Sequence, residues 1–250
     1  MGNISSLVKR SLHGIGLDVR LCRNIDKAER RAWEDKWCAY WRPFIAHRKI
    51  KTVIDIGANT GQFAMLFHRL CPDVRIISLE PLQDCFDALK NNIASIPVAS
   101  AHRLAIGSVT GVADMNRTEF TPCSSFLETT GQLKTEFGEG GAARPESVNV
   151  VRLDDFMAGL DVPDELMIKM DVQGYELEVL KGGPATFQRA VLVATEVCFF
   201  PKLYKNQPLF DDIYRALRSH GFSYMGNPEQ LAGKVDGRIA EADAVFERVS

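Results

Sequence analysis

The apolar positions of this chain fall into two rhythms. Short, nearly continuous runs at Val53–Ile56, Val74–Leu79, Leu166–Met170 and Val191–Thr195 read as strands buried on both faces. Segments with apolar positions three and four apart, Gln62–Cys71, Leu82–Ile93, Tyr175–Lys181 and Pro208–Ser219, read as helices. Strand and helix alternate, which predicts a parallel, doubly wound α/β sheet. Ser100–Ile106 reads as a third strand ending in Gly107, and Phe222–Met225 and Ala244–Val249 as two terminal strands. Pro72 ends the first helix, and Gly182-Gly183-Pro184 is a stop signal for a later one. The middle is irregular. Val112–Thr118 is expected as a short edge strand, Glu139–Pro145 as a loop, and Ser147–Leu153 as a strand after which Asp154 could cap a short helix.

Residues 1–50 precede this alternation and read as a helical appendage to a main domain of residues 51–250. Asp26 opens a charged helical run in which Trp33, Trp37 and Trp41 recur every four residues and share a face, joined by Tyr40 and Phe44. That stripe would dock on the main domain, or form an aromatic wall near a substrate. Pro43 is expected to end or kink the helix. Met1-Gly-Asn-Ile-Ser-Ser6 fits a short myristoylation pattern, and residues 4–12 could form a weak membrane-surface helix. A terminal helix packed on the body is the alternative.

Composition narrows the class without naming a function. Of 250 residues, 46% are hydrophobic and 25% charged, as in ordinary globular proteins, and a net charge of −2 gives no electrostatic footprint for nucleic acid. The cysteines at 22, 38, 71, 85, 123 and 198 form no C-x-x-C pair, so they are expected as reduced thiols in a cytoplasmic protein. No apolar run is long enough for a membrane span.

The chemistry gathers at strand ends. Thr52-Val-Ile-Asp-Ile-Gly-Ala-Asn-Thr-Gly-Gln-Phe63 predicts a strand, a tight turn and a helix start, with Asp55 near the strand's end. Glycine at 57 and 61 would let a ligand approach the backbone. Asn59 stands where a dinucleotide motif has its middle glycine, and tolerates left-handed angles better than most residues. Glu80 ends the second strand, where an acid suits ribose hydroxyls. A cationic, phosphate-free nucleoside fits this set: S-adenosylmethionine, with Asp55 near its methionine end and Glu80 on its ribose. A nicotinamide cofactor, or a non-catalytic nucleoside-binding module, is the alternative. Asp171 and Glu196 end two further strands, on the half of the sheet where a substrate would lie. Methyl transfer to a hydroxyl needs a base or a metal. One acid could take the proton, or both could hold a divalent cation such as magnesium. Each also has a structural reading, Asp171 as a cap and Glu196 as an ion-pair partner.

Val53-Ile-Asp-Ile-Gly-Ala-Asn-Thr-Gly-Gln-Phe63, Leu153-Asp-Asp-Phe156 and Ile168-Lys-Met-Asp-Val-Gln-Gly-Tyr-Glu-Leu-Glu-Val-Leu-Lys-Gly-Gly183 resemble the FkbM family of S-adenosylmethionine-dependent methyltransferases. The resemblance runs from about residue 51 to the C-terminus. It implies a Rossmann-like class I fold, a seven-stranded and mostly parallel sheet whose last strand is antiparallel. It implies O-methylation of a hydroxyl on a saccharide, glycosylated metabolite or natural product, with glycan and glycolipid acceptors included. It assigns the 55–61 turn and Glu80 to the cofactor. The full expected cofactor set is Asp55, Gly57, Ala58, Asn59, Gly61, Gln62, Phe63, Glu80, Pro81 and Ala105. The Asp171–Glu176 segment would face the reaction centre, with Asp171 and Glu196 as catalytic candidates. Ser124, Ser125 and Gln173 are the candidates for binding the substrate, the two serines having turn or cap roles as an alternative.

Overall fold

The computed structural model describes residues 27–130, 142–200, 203–232 and 237–249. The expectations for Met1–Ser6, residues 4–12, Cys22 and Asp26 lie outside them, as does the side chain of Trp33. Helix α1 (Lys27–Arg48) leads into β1 (Thr52–Ile56), α2 (Gln62–Leu70), β2 (Arg75–Leu79), α3 (Gln83–Ile93) and β3 (Ala99–His102). Then come β4 (Ala105–Ile106), β5 (Gly111–Thr118), a single 3-10 turn at Thr121–Cys123, β6 (Ala143–Val151) and α4 (Leu153–Ala158). The chain continues through β7 (Leu166–Met170), α5 (Glu176–Gly182), α6 (Pro184–Arg189), β8 (Ala190–Cys198), α7 (Phe210–Ser219), β9 (Phe222–Ala232) and β10 (Ile239–Arg248).

Seven strands form one sheet in the order β3-β2-β1-β7-β8-β10-β9. The pairs among β3, β2, β1, β7 and β8 are parallel, and β10 runs antiparallel to both its neighbours. This is the expected arrangement, with its last strand reversed. The continuous apolar runs are explained by the two cores they serve. Ile54, Ile77 and Ile168 face a cluster built with Val179, Leu180, Phe187, Ile213 and Leu217. Their sequence neighbours Val53, Ile76 and Met167 face the opposite cluster with Trp37, Trp41, Ala64, Phe67 and Leu89. Side chains alternate across a strand, so a strand covered on both sides must be apolar throughout.

Helix α1 therefore belongs to one of those cores. Trp37 and Trp41 are buried, and Trp37 meets Phe63 and Phe67 edge-on at 5.6 and 6.4 Å between ring centres. Arg69 of α2 holds Glu34 and Asp35, and Arg48 holds Glu247 of β10. Pro43 lies inside the helix, which continues to Arg48.

Four expectations need correction. Ser100–Ile106 is not one strand: the chain leaves the main sheet after His102, and β4 joins a second, three-stranded sheet ordered β4-β6-β5. Val112–Thr118 is therefore part of that separate sheet, and Ala143–Pro145, read as loop, lie in β6. The Gly182-Gly183-Pro184 signal ends α5 at Gly182 as expected, and Pro184 then opens α6 at once, at a position where its missing N–H costs nothing. Asp154 caps α6 and not its own helix, accepting from Ala185 N at 3.1 Å and from Thr186 N at 2.8 Å. The last two strands also begin or end well beyond Phe222–Met225 and Ala244–Val249.

Candidate active site

Parallel register builds the first part of the site. Asp55 on β1 lies opposite Ser78 on β2 and Lys169 on β7. Its carboxylate is fully buried, with Lys169 Nζ 3.3 Å from Oδ1 and Ser78 Oγ donating to Oδ2 at 3.4 Å. Burial pushes the Asp55 carboxyl up, against the pull of Lys169. Burial works against the charge on Lys169 as well, but Asp55 and Asp171 outweigh it and hold the ammonium above its ordinary pKa. Lys169 also donates to the Gly57 carbonyl at 3.1 Å and lies 3.7 Å from Asp171 Oδ2.

The turn after β1 is also shaped by packing. Gly57 and Gly61 have φ of 76° and 87°, and Asn59 takes a left-handed φ of 48°. A Cβ on Gly57 would stand 1.9 Å from the Asp171 carbonyl oxygen, and one on Gly61 would stand 2.8 Å from Leu89 Cδ1. Neighbouring strands and helices fill the space a side chain would need, so packing and backbone angle demand these glycines whatever their role toward a ligand. Gly57→Ala is expected to cost about 2–4 kcal/mol of stability, seen as a fall of about 5–15 °C in thermal unfolding. An unchanged melting temperature would remove the packing argument.

Glu80 receives Asn59 N on Oε2 and Leu82 N on Oε1, both at 2.9 Å. Burial pushes its carboxyl up to about 7. Each oxygen keeps a lone pair beyond its backbone bond.

These elements open onto one cavity of about 340 Å³. Its wall includes Gly57, Ala58, Asn59, Gln62, Phe63, Glu80, Pro81, Ala105, Ser124, Asp171, Gln173 and Glu196. Asp55, Gly61 and Ser125 are not on the wall. Asp55 stands behind Lys169, and Ser125 is fully buried, donating to the Gln173 carbonyl at 2.7 Å. The idea of Asp55 and Glu80 facing a common ligand is thus corrected: Glu80 faces the cavity, while the chain's own lysine neutralises Asp55.

Sequence reasoning missed several wall residues. Lys169 was legible in principle, because positions two apart on a strand share a face and Asp171 had been singled out. Glu229, Glu241 and Asp243 come from the outer ends of β9 and β10. Trp37 and Trp41 also line the cavity, so the aromatic stripe docks and forms a wall at once. Met115, Phe120 and Phe126 add apolar wall from β5 and the segment after it.

At the end of β7, beside the β1 turn, Asp171 has 42% of its side chain exposed. Gln173 Nε2 lies 2.9 Å from both Asp171 Oδ1 and Glu196 Oε2. Burial first, then Asp171, Glu241 and Asp243, push the Glu196 carboxyl well above the usual carboxylate range. Among the described residues no group of three His, Cys, Asp or Glu side chains is placed to hold a metal ion. Nor is any described helix long and apolar enough to cross a membrane. No disulfide joins the five described cysteines to one another.

The donor set fits S-adenosylmethionine. Glu80 offers acceptor capacity at the end of the second strand, and apolar Leu82, Leu104 and Ile106 stand beside it on the wall. Among the described residues Lys169 is the single basic side chain there, against six acids.

Known proteins agree with this geometry. The chain is 28% identical to methyltransferase sdnD of Sordaria araneosa, over 52% of its own length and 59% of that protein's. It is also 28% identical to 2-O-methyltransferase NoeI of Sinorhizobium fredii, over 64% and 65%. With 31-O-demethyl-FK506 methyltransferase FkbM of Streptomyces tacrolimicus it shares 26% over 77% and 80%. The match spans less than two thirds of the first two of these relatives. The crystal structure of methyltransferase FkbM from Methylobacillus flagellatus shares the fold, at a TM-score of 0.50 and 15% identity, over 79% of this chain and 43% of that one. The Methyltransferase FkbM domain model matches residues 55–224, and the chain belongs to that family.

Proposed function

We propose that this methyltransferase domain moves a methyl group from S-adenosylmethionine to a hydroxyl of a small saccharide or related natural product. The observation that carries the reading is one cavity holding Glu80 at the end of β2 and Asp171 at the end of β7, on either side of the β1 turn. Bound there, S-adenosylmethionine would supply an electrophilic methyl on a sulfonium. Glu80 would accept the ribose hydroxyls. Asp55 would act at one remove, by fixing Lys169 and through it the Gly57 carbonyl. Asp171 would take the proton of the acceptor hydroxyl. Glu196 would be held beside it through Gln173 and is not the base in this scheme.

The excess of acids on the wall suits a cationic donor. The volume lies near the low end of the ~300–1,000 Å³ range of small-molecule sites, so the acceptor would reach in by its reacting end. An oxygen acceptor is favoured by the names of two relatives, and a sugar by a third, the hexuronic acid methyltransferase AglP of Haloferax volcanii, 27% identical over 57% of this chain.

Titration calorimetry with S-adenosylhomocysteine tests the cofactor half of the proposal. Binding in the micromolar range is expected, and no heat at high micromolar ligand would overturn it. Methyl transfer from labelled S-adenosylmethionine to a panel of hydroxylated sugars and macrolides tests the acceptor half.

A further inference from the structure

Gln173 uses both polar atoms of its side chain and its backbone carbonyl. Its Nε2 carries two hydrogens and lies 2.9 Å from an oxygen of Asp171 and from one of Glu196. Its Oε1 accepts from Tyr204 Oη at 2.8 Å, and its backbone carbonyl accepts from Ser125 Oγ at 2.7 Å. With the nitrogen towards the acids, the amide meets an oxygen of each carboxyl group and turns its own oxygen to the Tyr204 hydroxyl, which also lies 2.9 Å from the Cys123 carbonyl oxygen. The residue is also held at a left-handed φ of 54°, which side chains other than Asn and Asp seldom adopt. Gly174 follows at φ 92°, and a Cβ there would stand 2.8 Å from Leu127 Cδ1. A backbone kept at such angles has to be over-determined by its surroundings.

Those surroundings are the segments beside the cavity. Ser125 belongs to the stretch that supplies Phe120, Ser124 and Phe126 to the wall. Tyr204 packs with Cys123 and Leu203, and its strand bridge to Thr129 ties the chain after β8 to the same stretch.

We propose that Gln173 is a positioning residue: Ser125 holds its backbone carbonyl and Tyr204 its side-chain amide, and the amide clamps Asp171 and Glu196, both on the cavity wall, into one acid pair. The clamp stands on geometry alone; its consequence for methyl transfer rests on the reading of Asp171 as the base.

An N–H donated to a carboxyl group favours its ionised form. Removing both donors should therefore raise the pair's lower titration step. Other charges and titratable groups surround the pair and would stay in place: Lys169 on β7, Asp55 on β1, Glu176 at the start of α5, Glu241 and Asp243 on β10, and Tyr204. The two steps belong to the pair and not to either residue.

The test is a pH titration of side-chain carboxyl carbons by NMR in the unliganded protein, assigned with Asp171→Asn and Glu196→Gln. Gln173→Met, of similar length but without donors, should move the lower step up by about one unit. Tyr204→Phe, which frees the amide without altering the packing volume, should move it in the same direction by less. If Gln173→Met fails to fold, Tyr204→Phe carries the test alone. A lower step that stays in place, or moves down, would overturn the clamp, whatever happens to turnover. The acid limb of kcat/KM should follow the NMR step. A step that moves while the limb stays fixed would leave the clamp standing and remove Asp171 as the base, so the two readings fail separately.

Discussion

Asp171→Asn is expected to lower kcat by about 10²–10⁴-fold, the usual contribution of a positioned base, while S-adenosylhomocysteine affinity stays within about twofold. The substitution keeps the shape of the side chain, and its remaining oxygen can still accept from Gln173 or Lys169. What is lost is basicity. Three observations single out Asp171. It stands at the end of β7, next to the β1 turn, so it is near the cofactor end of the cavity. It has 42% of its side chain exposed. Its neighbour Glu196 has its carboxyl pushed well above the usual carboxylate range by burial and by surrounding acids. Glu196→Gln keeps the size of the side chain and an oxygen that can accept from Gln173, and should cost about tenfold or less. The ranking of the two variants is the test. Should Glu196→Gln be the more damaging, the roles must be exchanged, and steady-state kinetics at pH 7.5 on the pure variants is enough to decide.

The strands were legible because burial on both faces leaves little choice of residue. Val53–Ile56 and Leu166–Met170 came out within a residue of their true bounds for that reason. The outer halves of β9 and β10 were not legible, and the reason is instructive. Asn227, Pro228, Glu229 and Gln230 read as turn, and Glu241 and Asp243 break an apolar pattern. Most of these positions face the cavity and not the core. A strand that lends its end to a polar site loses the pattern that announces it, so its acids were missed together with its length. The second sheet was hidden differently. Only Arg103 and Leu104 separate β3 from β4, too short a gap for any period to register. Asp55 shows a third limit. The acid at the strand's end stands out in the sequence, but Lys169 lies opposite it only because β1 and β7 pair in that register, which is not a local property of the sequence. Its role toward a ligand changed with that one contact. Ser125, equally, was found as a polar residue of interest, and only the packing shows that its hydroxyl turns inward to Gln173.

For Glu80, affinity for S-adenosylhomocysteine should rise with pH between about 5.5 and 7 and then level off, and Glu80→Gln should bind about 10²-fold more weakly with no such slope. The sign follows from burial. The unliganded carboxyl titrates at about 7, up from 4.5, because burial outweighs the two backbone N–H groups that favour the ion. Ribose hydroxyls donate best to the ionised form, so below that point binding must first expel a proton, and affinity falls by up to about tenfold per unit of pH. Stability runs the other way in the unliganded protein. The raised folded-state value means that the folded chain holds the proton more tightly than the unfolded one. Its contribution is full below about 4.5 and is lost as pH rises to about 7. The span of 7 − 4.5 = 2.5 units corresponds to about 3 kcal/mol. Glu80→Gln escapes that loss, although its amide leaves one of the N–H groups of Asn59 and Leu82 without an acceptor. Melting temperatures of the two unliganded proteins should therefore shift in favour of the variant between pH 5 and pH 8, while binding shifts against it. The opposite signs separate a carboxylate kept for a ligand from one kept for the fold. A variant that loses stability in parallel with affinity as pH rises would show that Glu80 serves the β1 turn alone, and the cavity would have lost its ribose acceptor.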